Sequence, residues 1–130
     1  KIVSIMKSVL LIASFVIGSI TTVAAQQTSP VWPGCEDSEN VKTCFNKKLS
    51  EHVRENYEYP KNDAGEYVRG EVTIKFEVDE EGKVNVLNIE GDEPLVNEAA
   101  KKMIEKMPKM EPGTLQGEPD AREFTVPFKF

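Results

Sequence analysis

Few residues of this chain could perform chemistry. A nucleophilic site needs a base beside a serine, threonine or cysteine, and the single histidine, His52, lies among charged residues of a predicted helix. We therefore predict that His52 is a solvated surface residue. Carboxylates are frequent, but none lies between apolar runs that would shift its pKa. The sequence contains no persuasive catalytic constellation, so we expect no catalytic residues and no enzyme.

Metal and cofactor sites have equally weak support. Asp79–Gly82 holds three acids but lacks the alternating oxygen ligands of a calcium loop, which favours a tight turn. Met103, Met107 and Met110 recur near helical spacing without a histidine or cysteine beside them. Core packing explains the first two better than a haem or copper site. No glycine-rich phosphate loop occurs, and we expect neither a metal nor a cofactor.

The two cysteines, Cys35 and Cys44, predict a disulfide. Eight residues separate them, which is too wide for a redox pair, and one distant histidine makes a zinc site weak. An even cysteine count in an exported protein favours a bridge. In the chain-entropy model, a bridge of this size stabilises the fold by about 2–3 kcal/mol. The alternative is a free reactive thiol.

The first 25 residues predict a secretory signal peptide. A lysine precedes an almost uninterrupted apolar run from Val9 to Ile20, and small residues lead to Ala25. This order of basic start, apolar centre and small-residue site is that of a signal peptide, with cleavage between Ala25 and Gln26. The alternative is an uncleaved anchor at residues 9–25, although a membrane span needs about 20 apolar residues.

Cleavage would leave an acidic protein of the periplasm. The chain has 16 Lys and Arg against 22 Asp and Glu, and residues 1–25 hold two lysines and no acid, so the mature net charge is 14 − 22 = −8. Phosphate binding needs basic patches, so nucleic acid is excluded as a partner. An anionic membrane surface is also a poor partner. The acidity is best explained by solubility.

Two helices are predicted after a leader at residues 26–40 that holds the disulfide. Asn40 is a typical cap residue, and the apolar spacing from Val41 predicts a helix that ends before Pro60. A second helix is expected with Pro94 in its first turn. Its expected buried stripe consists of Leu95, Ala99, Met103 and Met107, broadened by Val96, Ala100 and Ile104.

Three segments of the domain at residues 41–130 predict strands. Glu71–Val78 alternates without error, and Lys83–Ile89 returns after the turn with a slip in its alternation, which indicates a bulge or burial on both faces. Residues 114–121 are expected to be a loop before the last strand, Arg122–Phe130. The order helix, strand, strand, helix, strand predicts an α+β fold, with two helices on a three-stranded antiparallel sheet.

The terminal strand is the best candidate for a functional site. Pro127 stands at its polar parity and has no N–H for a ladder, so we expect an edge strand with this position facing outward. Thr125 and Lys129 then face outward too. The residues expected to pair inward with Glu71–Val78 are Phe124, Val126, Phe128 and Phe130. An open edge accepts a peptide by strand addition, and two such edges could also pair in a homodimer.

Taken in order, these segments resemble the TonB C-terminal domain family. The resemblance is carried by Tyr59-Pro60, Gly70–Val78, Gly82-Lys83-Val84, Leu95 with Glu98-Ala99, Met107–Gly113 and Phe124–Phe130. Trp32–Glu36 and Cys44 resemble an upstream extension in one branch of that family. The resemblance therefore covers about residues 31–130 and implies the same fold.

For function, the resemblance implies peptide capture without catalysis. Domains of the TonB family bind a short segment, the TonB box, at the plug of outer-membrane transporters by strand addition to their last strand. The inner-membrane energy source then pulls through the domain. Carried onto this chain, the binding edge is Phe124, Thr125, Val126, Pro127, Phe128 and Lys129. Tyr59 and Pro60 match a motif that lies near the transporter contact.

Three hypotheses about function follow. The first is a periplasmic binding module that holds a segment of a TonB-dependent transporter or another envelope protein. The second is an abbreviated energy transducer, kept at the inner membrane by residues 9–25. The third is a small structural or inhibitory domain whose helix face binds its partner.

Overall fold

The computed structural model describes residues 26–130, so the predicted signal segment and Ala25 lie outside the described residues. The helices are α1 (Val41–Asn56) and α2 (Pro94–Glu105). The strands are β1 (Gln27–Thr28), β2 (Glu71–Val78), β3 (Val84–Glu90), β4 (Thr114–Leu115), β5 (Glu118–Pro119) and β6 (Arg122–Lys129).

The main sheet has the order β3-β2-β6, and both pairings are antiparallel. This confirms the predicted α+β fold with β2 in the centre. The helix-facing side chains of β2 are at most 2% exposed; they are Val72, Ile74, Phe76 and Val78. Burial of each such side chain stabilises the fold by about 1.5–3 kcal/mol. The apolar side chains that alternate along β2 therefore form the centre of the core.

Both helices begin at side-chain caps. Asn40 Oδ1 accepts a hydrogen bond from the Thr43 N–H at 3.0 Å, and Glu93 caps α2 ahead of Pro94. α2 packs against β2 and β3. The completely buried residues of α2 are Val96, Ala100, Met103 and Ile104.

The predicted centre of the α2 stripe was wrong at its N-terminal end. Leu95 is 41% exposed and Ala99 is only half-buried. Both residues face a cavity beside Tyr59 and Pro60 instead of the sheet. Helical spacing allowed either line of residues to be buried, and the position of the sheet selected the line through Val96.

The slip in the alternation of β3 is a β-bulge. Lys75 pairs with Asn88 and Phe76 pairs with Val86, so Leu87 is an extra residue in β3. Leu87 is 44% exposed as a result. This confirms the first of the two explanations that the sequence had left open.

A second small sheet, with the order β1-β4-β5, was not predicted. β1 joins the expected leader to the expected loop by pairing Gln27 with Leu115 and Thr28 with Thr114. Strands of two residues have no periodicity that a sequence could display. The leader is therefore part of the folded domain.

A disulfide joins Cys35 to Cys44 in the first turn of α1, with Cα atoms 5.9 Å apart. Cys35 is fully buried. Near it, the buried Trp32 packs edge-on against Phe45, with ring centroids 5.5 Å apart. The bridge thus holds the leader against the helix, and neither cysteine has a free thiol.

The acidic segment between β2 and β3 is a tight turn. Asp79 Oδ1 accepts hydrogen bonds from the N–H groups of Glu81 and Lys83, each at 2.9 Å. Partial desolvation raises the pKa of Asp79, but hydrogen bonds from Asn85 and these N–H groups outweigh it and lower the pKa below its usual value. Gly82 has φ +83°, and its carbonyl accepts from the Met110 N–H at 3.0 Å.

The close approach at Gly82 predicts a large effect of an added methyl group. Gly82→Ala would require left-handed backbone and would overlap the Met110 carbonyl oxygen. We expect the free energy of unfolding to fall by at least about 3 kcal/mol. Gly65→Ala is the matched control, because Gly65 has φ +78° with no atom near its added Cβ. It should lose only about 1–2 kcal/mol in urea unfolding. Equal losses would contradict the role of the Met110 contact.

Loss of the disulfide should destabilise the domain without changing its fold. We expect the Cys35→Ala/Cys44→Ala variant to lose about 2–3 kcal/mol in urea unfolding. A reducing agent should lower the stability of the wild-type protein by a similar amount and leave the double variant unchanged. A wild-type protein that is insensitive to reduction would contradict a stabilising bridge.

Candidate functional site

The outer side of β6 is the first element of the candidate site. Gly70 and Phe130 exchange hydrogen bonds of 3.1 and 2.9 Å just beyond the ends of β2 and β6. Because alternate residues of an antiparallel strand address opposite neighbours, Phe124, Val126 and Phe128 also direct their backbone groups to β2. The residues with outward backbone groups are Glu123, Thr125, Pro127 and Lys129. Within residues 26–130, no strand pairs with this side of β6.

Pro127 interrupts the outward row of donors. It lies opposite Thr73 of β2, between Thr125 and Lys129. The proline nitrogen therefore points away from the sheet, where its missing N–H costs β2 no hydrogen bond. An incoming strand would meet the N–H groups of Thr125 and Lys129 with a gap between them.

One face of this edge is apolar and only half covered. Phe124 stacks between Phe45 of α1 and Phe76 of β2, with centroid distances of 5.0 and 5.3 Å. The half-buried side chains of this face are Phe124, Val126, Phe128 and Phe130. Their free sides form apolar surface directly beside unpaired backbone groups.

The opposite face of the edge carries charges. Lys75 of β2 contacts Glu123 at 3.4 Å, and Lys129 contacts Glu71 at 3.5 Å. Exposed pairs of this kind contribute little to stability. Glu123 and Lys129 do give the two ends of β6 opposite charges, negative at Glu123 and positive at Lys129.

A cavity of about 290 Å³ opens beside Phe124, at the N-terminal end of β6. Its apolar walls are Pro30, Phe45 and Phe124, with Lys42 and Asn46 at its polar side. The leader and α1 form most of this cavity. The sequence did not predict it, since the leader had no expected contact with β6.

Tyr59 and Pro60 lie beyond the other end of β6. The ring of Tyr57 stacks on Phe130 with centroids 3.6 Å apart, and Tyr59 packs edge-on against Tyr57 at 5.0 Å. Tyr59 is 44% exposed. With Pro60, it lines a cavity of about 240 Å³ that also includes Leu95. An aromatic row therefore connects the predicted motif to the end of the β6 edge.

Tyr57 was not singled out from the sequence, although it makes the central contact of this row. Burial, and to a lesser degree the neighbouring Tyr59, raise the pKa of the Tyr57 hydroxyl. The hydroxyl is enclosed and has no hydrogen-bond partner among residues 26–130. Its position two residues before Tyr59 was the only available sequence signal.

His52 was predicted to be solvated, and this prediction was wrong. His52 is 7% exposed, and its Nε2 donates to the Met103 carbonyl oxygen at 2.8 Å. Its Nδ1 lies 3.1 Å from the Asn56 amide nitrogen, which donates to it. The charged residues that suggested exposure lie on the other side of α1. The imidazole thus connects α1 to α2 as a structural residue.

Of the other predicted site residues, Gln26 and Cys35 lie in the leader, and Cys44 lies in α1. Gln26 is the first described residue, and its carbonyl accepts a hydrogen bond from the Gln116 N–H at 2.7 Å.

Within residues 26–130, no three His, Cys, Asp or Glu residues are grouped so that they could hold a metal ion. In the same range, no helix has the length and apolar character needed to cross a membrane.

Comparison with known proteins identifies the family of the chain. The family model described as Gram-negative bacterial TonB protein C-terminal matches residues 55–130, more than half of the chain. Domains of this family are interaction domains of transport systems, and they interact with TonB-dependent outer-membrane transporters. No curated protein and no solved structure matches the chain. The match includes β2, β3, α2, Tyr59-Pro60 and the whole of β6, and the chain therefore belongs to the TonB C-terminal domain family.

Proposed function

We propose that the protein captures an extended segment of a TonB-dependent outer-membrane transporter, or of another cell-envelope protein, by adding it as a strand beside β6. One observation carries this proposal. β6 lies in the family-matched part of the chain and presents outward backbone groups that no strand of residues 26–130 pairs. A peptide in an extended conformation satisfies such groups without any catalytic chemistry.

The outward row favours a short segment that is anchored on both sides of Pro127. Glu123, Thr125 and Lys129 each offer an N–H and a carbonyl, whereas Pro127 offers only its carbonyl. One absent hydrogen bond lowers the binding free energy by about 1 kcal/mol. The captured strand therefore depends on the remaining outward N–H groups, and removal of any one of them should be measurable.

Side chains of the segment would add selectivity through the apolar face. Alternate residues of an added strand lie on the helix side of the sheet, next to Phe124, Val126 and Phe128. These three are half-buried, so a partner can cover their free sides. We expect apolar residues at alternate positions of the captured segment.

Tyr59 and Pro60 are proposed as a second contact for the partner. The aromatic row through Tyr57 and Phe130 places them next to the C-terminal end of β6. The exposed side chain of Tyr59 suits an interface, because its ring can make apolar contacts with a partner while its hydroxyl forms a hydrogen bond. Contacts there would extend beyond the short strand itself.

We further propose that the domain acts in the periplasm, after export and cleavage between Ala25 and Gln26. The support is the order of basic, apolar and small residues in the first 25 positions. A cleaved domain would bind its partner without transmitting force from the inner membrane.

Removal of one outward donor tests strand addition. Thr125→Pro deletes the N–H that faces outward and leaves the ladder to β2 intact, because Thr125 directs its backbone groups away from β2. We expect the affinity for transporter plug peptides to fall by about tenfold, measured by calorimetry or pull-down. Thr125→Val is the matched control, since it keeps both the N–H and β-branching, and it should bind like the wild type.

The same experiment separates the hypotheses. Unchanged capture by Thr125→Pro would show that the edge is not used. Binding that is lost instead on substitution of exposed α2 residues away from the Tyr59-Pro60 cavity, such as Lys101→Ala and Glu105→Ala, would favour a domain that uses its helix face. Thermal melting of every variant would confirm that the fold is retained.

The mature N-terminus decides between the periplasmic module and the anchored transducer. We expect intact-mass measurement of the exported protein to give a chain that starts at Gln26. A mature chain that still contains residues 9–25 and fractionates with the inner membrane would support the transducer and contradict cleavage.

A further inference from the structure

We propose that the cavity beside Phe124 is a specificity pocket that takes one tyrosine side chain of the captured segment. This inference rests on the proposed strand addition at β6, and it adds the identity of one residue of the partner. The cavity has a volume of about 290 Å³ and two kinds of lining. Pro30, Phe45 and Phe124 form its apolar walls, and Lys42 and Asn46 stand at its polar side.

The pocket lies where one side chain of an added strand points. Residues that oppose each other in neighbouring strands place their side chains on the same face of the sheet. The segment residue opposite Phe124 therefore points to the helix side, next to the half-buried Phe124 ring. A second cavity of about 220 Å³ reaches Glu123 and shares four lining residues with the first, namely Ser29, Pro30, Lys42 and Phe124. The two cavities together open beside the unpaired backbone of β6.

The wall at Pro30 is fixed on both sides in the chain. Pro30 itself is buried. Before it, the Thr28 hydroxyl oxygen accepts a hydrogen bond from the Thr114 N–H at 3.1 Å. After it, the backbones of Val31 and Glu111 exchange hydrogen bonds of 2.9 and 3.1 Å. The pocket is thus formed before a partner binds, which reduces the entropy that is lost on binding.

The chemistry of the pocket selects tyrosine among the side chains. An aromatic ring packs favourably edge-on or offset against other rings, and Phe45 and Phe124 supply two of them. Lys42 is exposed, and no ion pair within residues 26–130 involves it. A phenol hydroxyl accepts a hydrogen bond from Lys42 and donates one to Asn46. Phenylalanine makes neither bond, and a carboxylate would lose its hydration against the apolar walls.

Most of the pocket comes from the part of the chain that precedes the family match. The match begins at residue 55, and of the six lining residues only Phe124 lies within it. The disulfide between Cys35 and Cys44 ties the leader to α1 and thereby holds the two contributors together. The β6 backbone therefore binds an extended segment of any sequence, whereas the pocket discriminates between segments by one side chain.

A peptide series tests which side chain the pocket takes, with the protein expressed from its full-length chain. The host is a synthetic peptide as long as β6, with valine at alternate positions and serine between them. Each valine in turn is replaced by tyrosine, phenylalanine or alanine, and calorimetry measures the affinity. At one position, we expect tyrosine to bind at least about tenfold more tightly than alanine and about fivefold more tightly than phenylalanine. Equal affinities for tyrosine and phenylalanine at every position would overturn the proposal.

Variants of α1 test where the hydroxyl is bound. Lys42→Ala/Asn46→Ala should remove the preference for tyrosine over phenylalanine and should leave the affinity for the phenylalanine peptide within about twofold of the wild type. Both residues are exposed on α1, so the fold is retained. Lys47→Ala is the matched control, because Lys47 is exposed on the same helix and lines neither cavity. A preference for tyrosine that survives in the double variant would contradict the proposed pocket.

A small probe separates the pocket from strand capture. p-Cresol is the isolated side chain of tyrosine, and we expect it to shift the NMR amide signals of Phe45, Asn46 and Phe124 with a dissociation constant of about 1–10 mM. Toluene should bind at least about threefold more weakly, because it lacks the hydroxyl. p-Cresol binding at these residues without any host peptide binding would support the pocket and contradict strand capture. Host peptides that bind equally well with any residue, together with no p-cresol shifts there, would overturn the pocket and leave strand capture in place.

Discussion

A sheet of three strands has two edges, and the unpaired backbone groups on those edges constrain everything else in this domain. β2 directs its groups alternately to β3 and β6, so none remain free at the centre. The two edge strands differ in the regularity of their backbone. β3 has a bulge at Leu87, which breaks the regular row of donors. β6 stays regular but contains Pro127, which interrupts the outward N–H groups of Glu123, Thr125 and Lys129. In the main sheet of the described residues, the regular open row is therefore interrupted, and this restricts what can bind there.

The N-terminal part of the chain modifies that edge. Residues 26–54 precede the family match, yet they contribute Pro30 and Phe45 to the cavity beside Phe124. The disulfide between Cys35 and Cys44 holds this part in place. The family-matched part therefore supplies the strand and its backbone groups, while the preceding part shapes one end of the apolar face. Relatives without such an extension would present a different surface at the same end of the strand.

Much of the fold and part of the site followed from the sequence. Alternation in β2 and β6, helical spacing in α1 and α2, and the polar parity of Pro127 are local patterns that identify the type of each element and the edge position of β6. The small sheet was missed, because two-residue strands show no period. His52 and Leu95 were misplaced, because the residues around them on each helix allow two buried faces. Contact with the other helix selects the face for His52, and contact with the sheet selects it for the helix that contains Leu95.

The sequence by itself therefore determined the elements, the central position of β2 and the outward direction of the Pro127 nitrogen, since these depend on steric and hydrogen-bonding properties of neighbouring residues. Only the tertiary structure decided that the leader packs beside Phe124, that Tyr57 joins Tyr59 to Phe130, and that His52 bridges the helices. Those contacts join residues far apart in the chain. Their geometry depends on how whole elements pack, which no local pattern records.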